Sequence, residues 1–465
     1  MAKQTKKSPS LETVTTINED GSHYVLHPAD VKGRFTTLRR LFAIILLTIY
    51  VSLPWTTING NPAVFLDVAQ RQFHLFGLTL APQDLWVLFF LISGLGFSLF
   101  FVTALLGRLW CGWACPYTIF LEHIFRRIER AIDGDAPARR KLANAPLSFN
   151  KLWRRALKHS LYLLAATLLA HLFLSYFISL ENLYAYVQES PLAHWKSFAI
   201  VAFLTVVLYG CFAWFREQFC IILCPYGRIQ SALTDDDTMI IGYDEARGEP
   251  RGPKGKVAGA CIDCRRCVNV CPTGIDIRNG LQIECIGCAA CVDACDEIME
   301  KIDRPKGLVR YDSMNGLANR TRRIFRPRII LYLILAALGT TALIGTTTQR
   351  ARPYTWNVSR MAGPPYYTDA NTVRNHYQTR LINKRNQTAT ITLELVSPPP
   401  GFSLAGANEP ITLAPKTELT RPAIIICETA HFTGPVELQL QATANPGNTT
   451  LTQTLRFLGP NPNSL

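Results

Sequence analysis

Five stretches of this chain are apolar over roughly the length that an α-helix needs to cross a bilayer, about 20 residues. They run Leu38–Trp55, Leu85–Leu106, Leu157–Leu180, Ser197–Phe215 and Ile329–Ile344, the last being the shortest. Lipid offers no partner for a bare peptide group, so segments of this kind are expected as helices. A total of 465 residues, 48% hydrophobic and 18% charged, agrees with a multi-domain membrane protein.

The net charge of +14 would suit a nucleic-acid binder, but the basic residues crowd the ends of the apolar runs. Lys32, Arg34, Arg39 and Arg40 precede the first run. Arg126, Arg127, Arg130, Arg139, Arg140, Lys141, Arg154 and Arg155 fill the second connection, and Arg322, Arg323, Arg326 and Arg328 precede the fifth run. The positive-inside rule places those segments in the cytoplasm of a bacterial inner membrane. No nucleic-acid partner is expected. The segments 56–84 and 181–196 carry few basic residues and are expected in the periplasm. Residues 1–30 lack a short apolar core with a small-residue cleavage site, so no removed signal peptide is expected.

The expected organisation is a cytoplasmic tail (1–37), four membrane helices (38–216) with a cytoplasmic loop at 107–156, a cytoplasmic insert (217–328), a fifth helix (329–346) and a periplasmic domain (347–465). In that last part Ile391, Leu393 and Leu395 alternate with Thr392 and Glu394, and Val436 to Gln441 alternates similarly. With Pro398, Pro399, Pro400, Gly401, Pro410 and Pro435 between the runs, this reads as an immunoglobulin-like β-sandwich.

Fourteen cysteines complete the pattern. Cys261, Cys264, Cys267 and Cys271, with Pro272 following, form the C-x2-C-x2-C-x3-C-P run of bacterial ferredoxins. Cys285, Cys288, Cys291 and Cys295 repeat the spacing, with Asp296 in the proline position. In this arrangement the fourth cysteine of each run ligates the other cluster. One 4Fe-4S cluster is therefore expected on Cys261, Cys264, Cys267 and Cys295, and a second on Cys285, Cys288, Cys291 and Cys271, in a ferredoxin-like α+β insert. Zinc also takes C-x2-C pairs, but it does not require two tandem four-cysteine runs.

Two shorter motifs follow the second and fourth apolar runs: Cys111-Gly-Trp-Ala-Cys115-Pro116 and Cys220-Ile-Ile-Leu-Cys224-Pro225. If the two ends meet, four thiols converge at the membrane surface, where soft sulfur suits Cu(I) or a further iron–sulfur cluster. Packing of small apolar side chains is the plainer alternative. Cys211 and Cys427 are expected to be structural, His171 to pack or bond between helices, and His123 to sit in a solvated loop.

Across nearly its whole length the chain resembles the cytochrome c oxidase accessory protein family, the CcoG/FixG/RdxA group. The resemblance rests on both Cys-x3-Cys-Pro motifs, on the run from Tyr243 to Gly252, on Cys271-Pro272-Thr273-Gly274-Ile275-Asp276-Ile277-Arg278 and on the sandwich tail. It implies a redox protein for assembly of a cbb3-type haem–copper oxidase that reduces Cu(II) to Cu(I). Copper would then be its substrate, Cys111, Cys115, Cys220 and Cys224 the reducing site, and copper chaperones and oxidase subunits or assembly factors its partners, with an electron donor left unidentified. Membrane subunits of quinol dehydrogenases share the cysteine motifs, and a non-catalytic assembly scaffold is the third reading. A periplasmic sandwich favours the accessory-protein reading over a bare electron-transfer subunit. A reporter fused after Thr346 is expected to read periplasmic and one near Gly255 cytoplasmic; the reverse pair of readings would overturn the orientation.

Overall fold

The computed structural model describes residues 25–460 apart from 59, 69–70, 81–84, 254–258, 351–352, 370, 386, 408 and 416. Among the described residues five helices are long and apolar enough to span a membrane. They cover Arg34–Ser52, Leu85–Leu106, Phe149–Leu174, Trp195–Tyr209 with a wider turn to Phe215, and Pro327–Arg350. Large apolar side chains such as Leu95, Phe203 and Leu338 lie exposed along them, an arrangement that is costly in water and natural in lipid. The second and fifth helices pass closely at Gly94 and Gly339, where a Cβ on Gly339 would come within 2.9 Å of the Gly94 Cα. Small residues allow this backbone approach.

The helix limits differ from the apolar runs because capping, and not hydrophobicity, decides them. Ser148 accepts a hydrogen bond from the Lys151 N–H, so the third helix starts with two polar turns ahead of Leu157. It ends at Leu174, and Ser179 caps a separate short helix, Leu180–Gln188. The first helix begins at Arg34 because its cap comes from far along the chain. Asp293 accepts from the N–H groups of Phe35 (3.2 Å) and Thr36 (2.7 Å) and from the Thr36 hydroxyl (2.7 Å). A carboxylate at that point also meets the positive end of the helix dipole.

The insert is α+β. Strands Ile240–Tyr243 and Val309–Asp312 pair antiparallel, Tyr243 opposite Val309, and close its base. Helices Arg266–Asn269 and Ala290–Lys301 rise beside them over a core of Ile241, Ile275, Ile277, Val292, Met299 and Leu308. A small antiparallel sheet, Val64–Asp67, Gln72–Leu75 and Leu78–Leu80, fills the first interhelical connection. Its strands are too short to stand out in the sequence.

The chain divides after Ile344, and the second unit is an antiparallel β-sandwich. One sheet runs Phe402–Ala405, Glu418–Glu428, Thr372–Asn383, Tyr354–Arg360, with Tyr367–Thr368 at its edge. The other runs Ile411–Leu413, Ala389–Val396, Val436–Asn445, Thr449–Phe457. Alternate side chains, among them Ile391, Leu393, Ile425, Leu440 and Phe457, form a shared core. Cys427 is completely buried there, as a structural cysteine should be.

The cap on the first helix leaves no room at Gly33, where a Cβ would stand 2.3 Å from the Asp293 Cγ. Gly33→Ala is therefore expected to cost about 1–3 kcal/mol, as overpacking does. A lowered midpoint of thermal unfolding in detergent checks this, and Gly96→Ala, in open space, serves as the unaffected control.

Candidate electron-transfer site

The two C-x2-C-x2-C loops have the same backbone. Asp263 and Arg265 adopt positive φ in the first (53° and 54°), and Gly287 and Ala289 adopt it at the equivalent places in the second (66° and 58°). A left-handed residue other than glycine costs about 1–2 kcal/mol, so three such residues mark a geometry that the surroundings impose. Arg265 and Ala289 then open the helices that carry Cys267 and Cys291. Alternating left- and right-handed turns direct backbone N–H groups into a concavity, the form of nest that receives anionic clusters.

The insert thiols crowd one another, and the charges they feel show which are neighbours. Burial pushes Cys267 up to about 12, and its thiol neighbours are Cys295 and Cys264. Burial likewise lifts Cys295 to about 12, with Cys264 and Cys261 beside it. Cys291 is raised by burial and then by Cys288, Cys285 and Cys271, with Cys267 farther off. Burial also brings Cys285 to about 12, with Cys288 and Cys271 adding to it. Cys267, Cys271, Cys285, Cys288 and Cys291 line one pocket walled by Ile241, Ile275, Ile277 and Ile286. Such a dry pocket with a ring of sulfur donors fits an iron–sulfur cluster, which is larger than one metal ion. Asp296 explains the missing proline. It lies inside the helix Ala290–Lys301, where proline would remove a backbone bond, and its carboxylate accepts from the Gly307 N–H at 2.8 Å.

Both Cys-x3-Cys-Pro motifs also share one construction. Cys111 lies in a helical turn, Leu109–Trp113, and Cys220 in another, Phe219–Leu223. Cys115 and Cys224 then turn extended, with φ and ψ of −61° and 122° and of −67° and 110°. Proline forbids helix at the preceding residue and suits the first position of the next helix, so Pro116 and Pro225 start new helices. The helix therefore breaks at the second sulfur of each motif.

The two motifs are locked together. Arg108 donates to the Gly227 carbonyl at 2.6 Å, the Cys111 thiol donates to Gln230 Oε1 at 3.4 Å, and Tyr117 stacks on Phe219 at 4.3 Å. Burial pushes Cys111 up to about 12, with Cys115 and then Cys224 contributing. Burial raises Cys220 too, reinforced by Cys115, Cys111 and Cys224. Four thiols therefore occupy one neighbourhood. Among the described residues no three His, Cys, Asp or Glu side chains are set to hold a single metal ion.

This neighbourhood abuts the second cysteine loop. A Cβ on Gly112 would come within 2.6 Å of the Ile286 carbonyl oxygen and 3.0 Å of the Cys288 Cα, and Cys111 packs against the buried cluster that includes Ile286 and Cys288. Tyr311 fastens the junction: its hydroxyl donates to the Gly287 carbonyl (2.6 Å) and accepts from Trp113 Nε1 (3.1 Å). Arg39 Nε donates to the Gly112 carbonyl at 3.0 Å. Arg39, Arg108 and Gln230 were invisible as site residues in the sequence; the glycine between Cys111 and Trp113 was the one available signal.

His123 departs from expectation, lying in the helical turn Leu121–Phe125, where burial and then the Arg39 charge push it down to about 4. His171 bonds to the Thr167 carbonyl of its own helix at 2.8 Å, in keeping with a packing role. Cys211 is half-buried within the wide turn that ends the fourth helix.

Three family models match. Residues 215–314 match a 4Fe-4S dicluster domain, residues 85–133 a 4Fe-4S binding domain, and residues 345–460 the IG-like fold at the C-terminus of FixG. Protein RdxA of Cereibacter sphaeroides is 36% identical over 378 residues, covering 77% of this chain and 79% of RdxA. Nitrogen fixation protein FixG of Rhizobium meliloti is 32% identical over 444 residues, 83% of each chain. Protein RdxB of Cereibacter sphaeroides is 34% identical over 421 residues, covering 86% of this chain and 88% of RdxB. At 32–36% identity over most of both chains, and with the FixG C-terminal domain present, the chain belongs to the FixG/RdxA family and is a multi-pass membrane iron–sulfur protein.

Proposed function

We propose that the eight insert cysteines hold two 4Fe-4S clusters in crossed sets, and that Cys111, Cys115, Cys220 and Cys224 receive Cu(II) and release it as Cu(I) for a cbb3-type oxidase. The clusters, when bound, supply one-electron storage. The observation that carries the reading is the seating of Gly112 on the Ile286–Cys288 loop, which brings the thiol neighbourhood against the cluster-binding fold. One electron arriving there suffices for Cu(II) to become Cu(I), with no bond to substrate carbon and no proton required. Thiolate stabilises Cu(I) over Cu(II), so a sulfur site raises the metal's potential and eases acceptance of the electron. As no preformed single-ion site exists among the described residues, the thiols must draw together and release their protons to water as the ion binds.

In this reading the insert faces the cytoplasm, where a soluble or membrane-bound reductant supplies electrons, and the sandwich faces the periplasm beside copper chaperones and oxidase assembly factors. The basic flanks of the first and fifth helices support that orientation. A second reading has its own support, since the 4Fe-4S match over residues 85–133 includes Cys111 and Cys115. There the four thiols hold a third cluster.

Serine at Cys264 or at Cys288 is expected to remove about half the iron, provided the clusters bind independently. Metal analysis and the visible spectrum test it, and full iron in both variants would refute the assignment. Replacing Cys220 and Cys224 together should leave iron near wild type while slowing reoxidation of the reduced protein by Cu(II). Loss of iron in that variant would select the third cluster, and unchanged kinetics with unchanged iron would leave only packing.

A further inference from the structure

Beside the junction lies a cleft that the electron path does not use. The segment Pro28–Val31, the start of the first long helix, the turns carrying residues 122–130, and the insert at Val270, Pro272 and Ala290 all contribute to its wall. Arg39, Arg40, Arg126, Arg127, Arg130 and Arg139 line it, against the carboxylates of Asp30 and Glu122.

The charges do not balance locally. Arg126 pairs with Glu122 and Glu217, Arg130 with Asp30 at 2.7 Å, and Arg139 with Glu129 at 3.7 Å, while Glu129 is also taken by Arg216 at 2.8 Å. Among the described residues Arg39, Arg40 and Arg127 have no carboxylate within ion-pair distance. The Nε atoms of Arg40, Arg126 and Arg139 are shielded from solvent and unpartnered, and the Arg126 and Arg139 side chains are only 6% and 4% exposed. His123, held neutral by its burial, adds no charge of its own. Leaving a buried guanidinium N–H unsatisfied is costly, and so is holding several like charges around one space.

We propose that this cleft holds a phosphate group. Guanidinium forks match its oxygens two at a time, and its negative charge, spread over several acceptor oxygens, answers the excess of arginines over carboxylates around the cleft. Two sources carry that chemistry. The headgroup of an anionic phospholipid is one, since Arg39 and Arg40 lie in the first turns of a membrane helix, where basic pockets collect such lipids. A free phosphate or phosphoester from the aqueous side is the other. Either would bridge the membrane helices and the insert, because Arg126 Nη2 also donates to the Pro272 carbonyl at 3.0 Å, one residue past Cys271. Occupancy would therefore steady the insert without touching the thiols.

The test uses full-length protein in neutral detergent. In one arm native mass spectrometry follows retention of phosphatidylglycerol against phosphatidylcholine; in the other, pyrophosphate is titrated and thermal stabilisation is read. The double variant Arg40→Gln, Arg127→Gln should bind about tenfold more weakly or worse, because two charge-assisted contacts are lost. Neither guanidinium makes a hydrogen bond or ion pair among the described residues, so iron content and circular dichroism should stay at wild type; if they do not, Arg127→Gln alone is read. Arg140→Gln, Lys141→Gln, which removes two exposed charges outside the cleft, should bind as wild type. Phosphatidylglycerol retention that depends on Arg40 and Arg127 assigns the site to lipid, and pyrophosphate stabilisation with that dependence assigns it to a free anion. Binding equal in wild type and the cleft variant, equal loss in the control, or no binding in either arm overturns the proposal.

Discussion

Two backbones touch where Gly112 meets the Ile286–Cys288 loop, and no side chain larger than hydrogen fits between them. The membrane half of the protein and its cluster-binding half are held to a fixed separation at this point. Tyr311, Trp113 and Arg39 satisfy the polar groups around it, so the contact is fastened on several sides by hydrogen bonds from three different parts of the chain. A second tie, Asp293 capping the first membrane helix, makes the same helix that carries Cys291 and Cys295 part of the membrane scaffold. Movement of the insert relative to the helices would break both ties together.

Charge organises the same region. Glu129, buried between Arg216, Arg139 and His27, would be raised by burial alone, but those partners hold it well below the usual carboxylate range. Ionised and paired, it joins the loop after the second membrane helix to the end of the fourth, which are the two places where the Cys-x3-Cys-Pro motifs begin and end. Removing one member of a buried network of this kind strands the rest, at a cost of several kcal/mol. The arginines that signal topology in the sequence are thus also structural members of the junction, and the unbalanced remainder opens onto the adjoining cleft.

Much of this was legible in the sequence because its signals are local. Bilayer length sets the five helices, the cubane spacing sets the two cysteine runs, and period-two alternation sets the sandwich strands. The repeated Cys-x3-Cys-Pro spacing also suggested four thiols in one place, and Cys111, Cys115, Cys220 and Cys224 lie in one neighbourhood. What stayed hidden depends on partners distant in the chain. Nothing near Gly33 announces that Asp293 will cap the first helix, and nothing near Cys111 announces Gln230. The break at Cys115 and Cys224 is local too, since a proline after each disfavours helix at the cysteine before it. His123 was misplaced because its polarity suggests a loop, whereas the fold buries it beside arginines.

On the proposed function, electrons held in the insert leave through the four membrane-proximal thiols to copper. Anaerobic stopped-flow mixing of the dithionite-reduced, full-length protein with Cu(II), with the Cu(I) formed trapped by a chromogenic chelator, tests it most directly. Cluster absorbance should recover as Cu(I) appears, one Cu(I) for each electron lost. Clusters that stay reduced in excess Cu(II), or that reoxidise without yielding Cu(I), would contradict it.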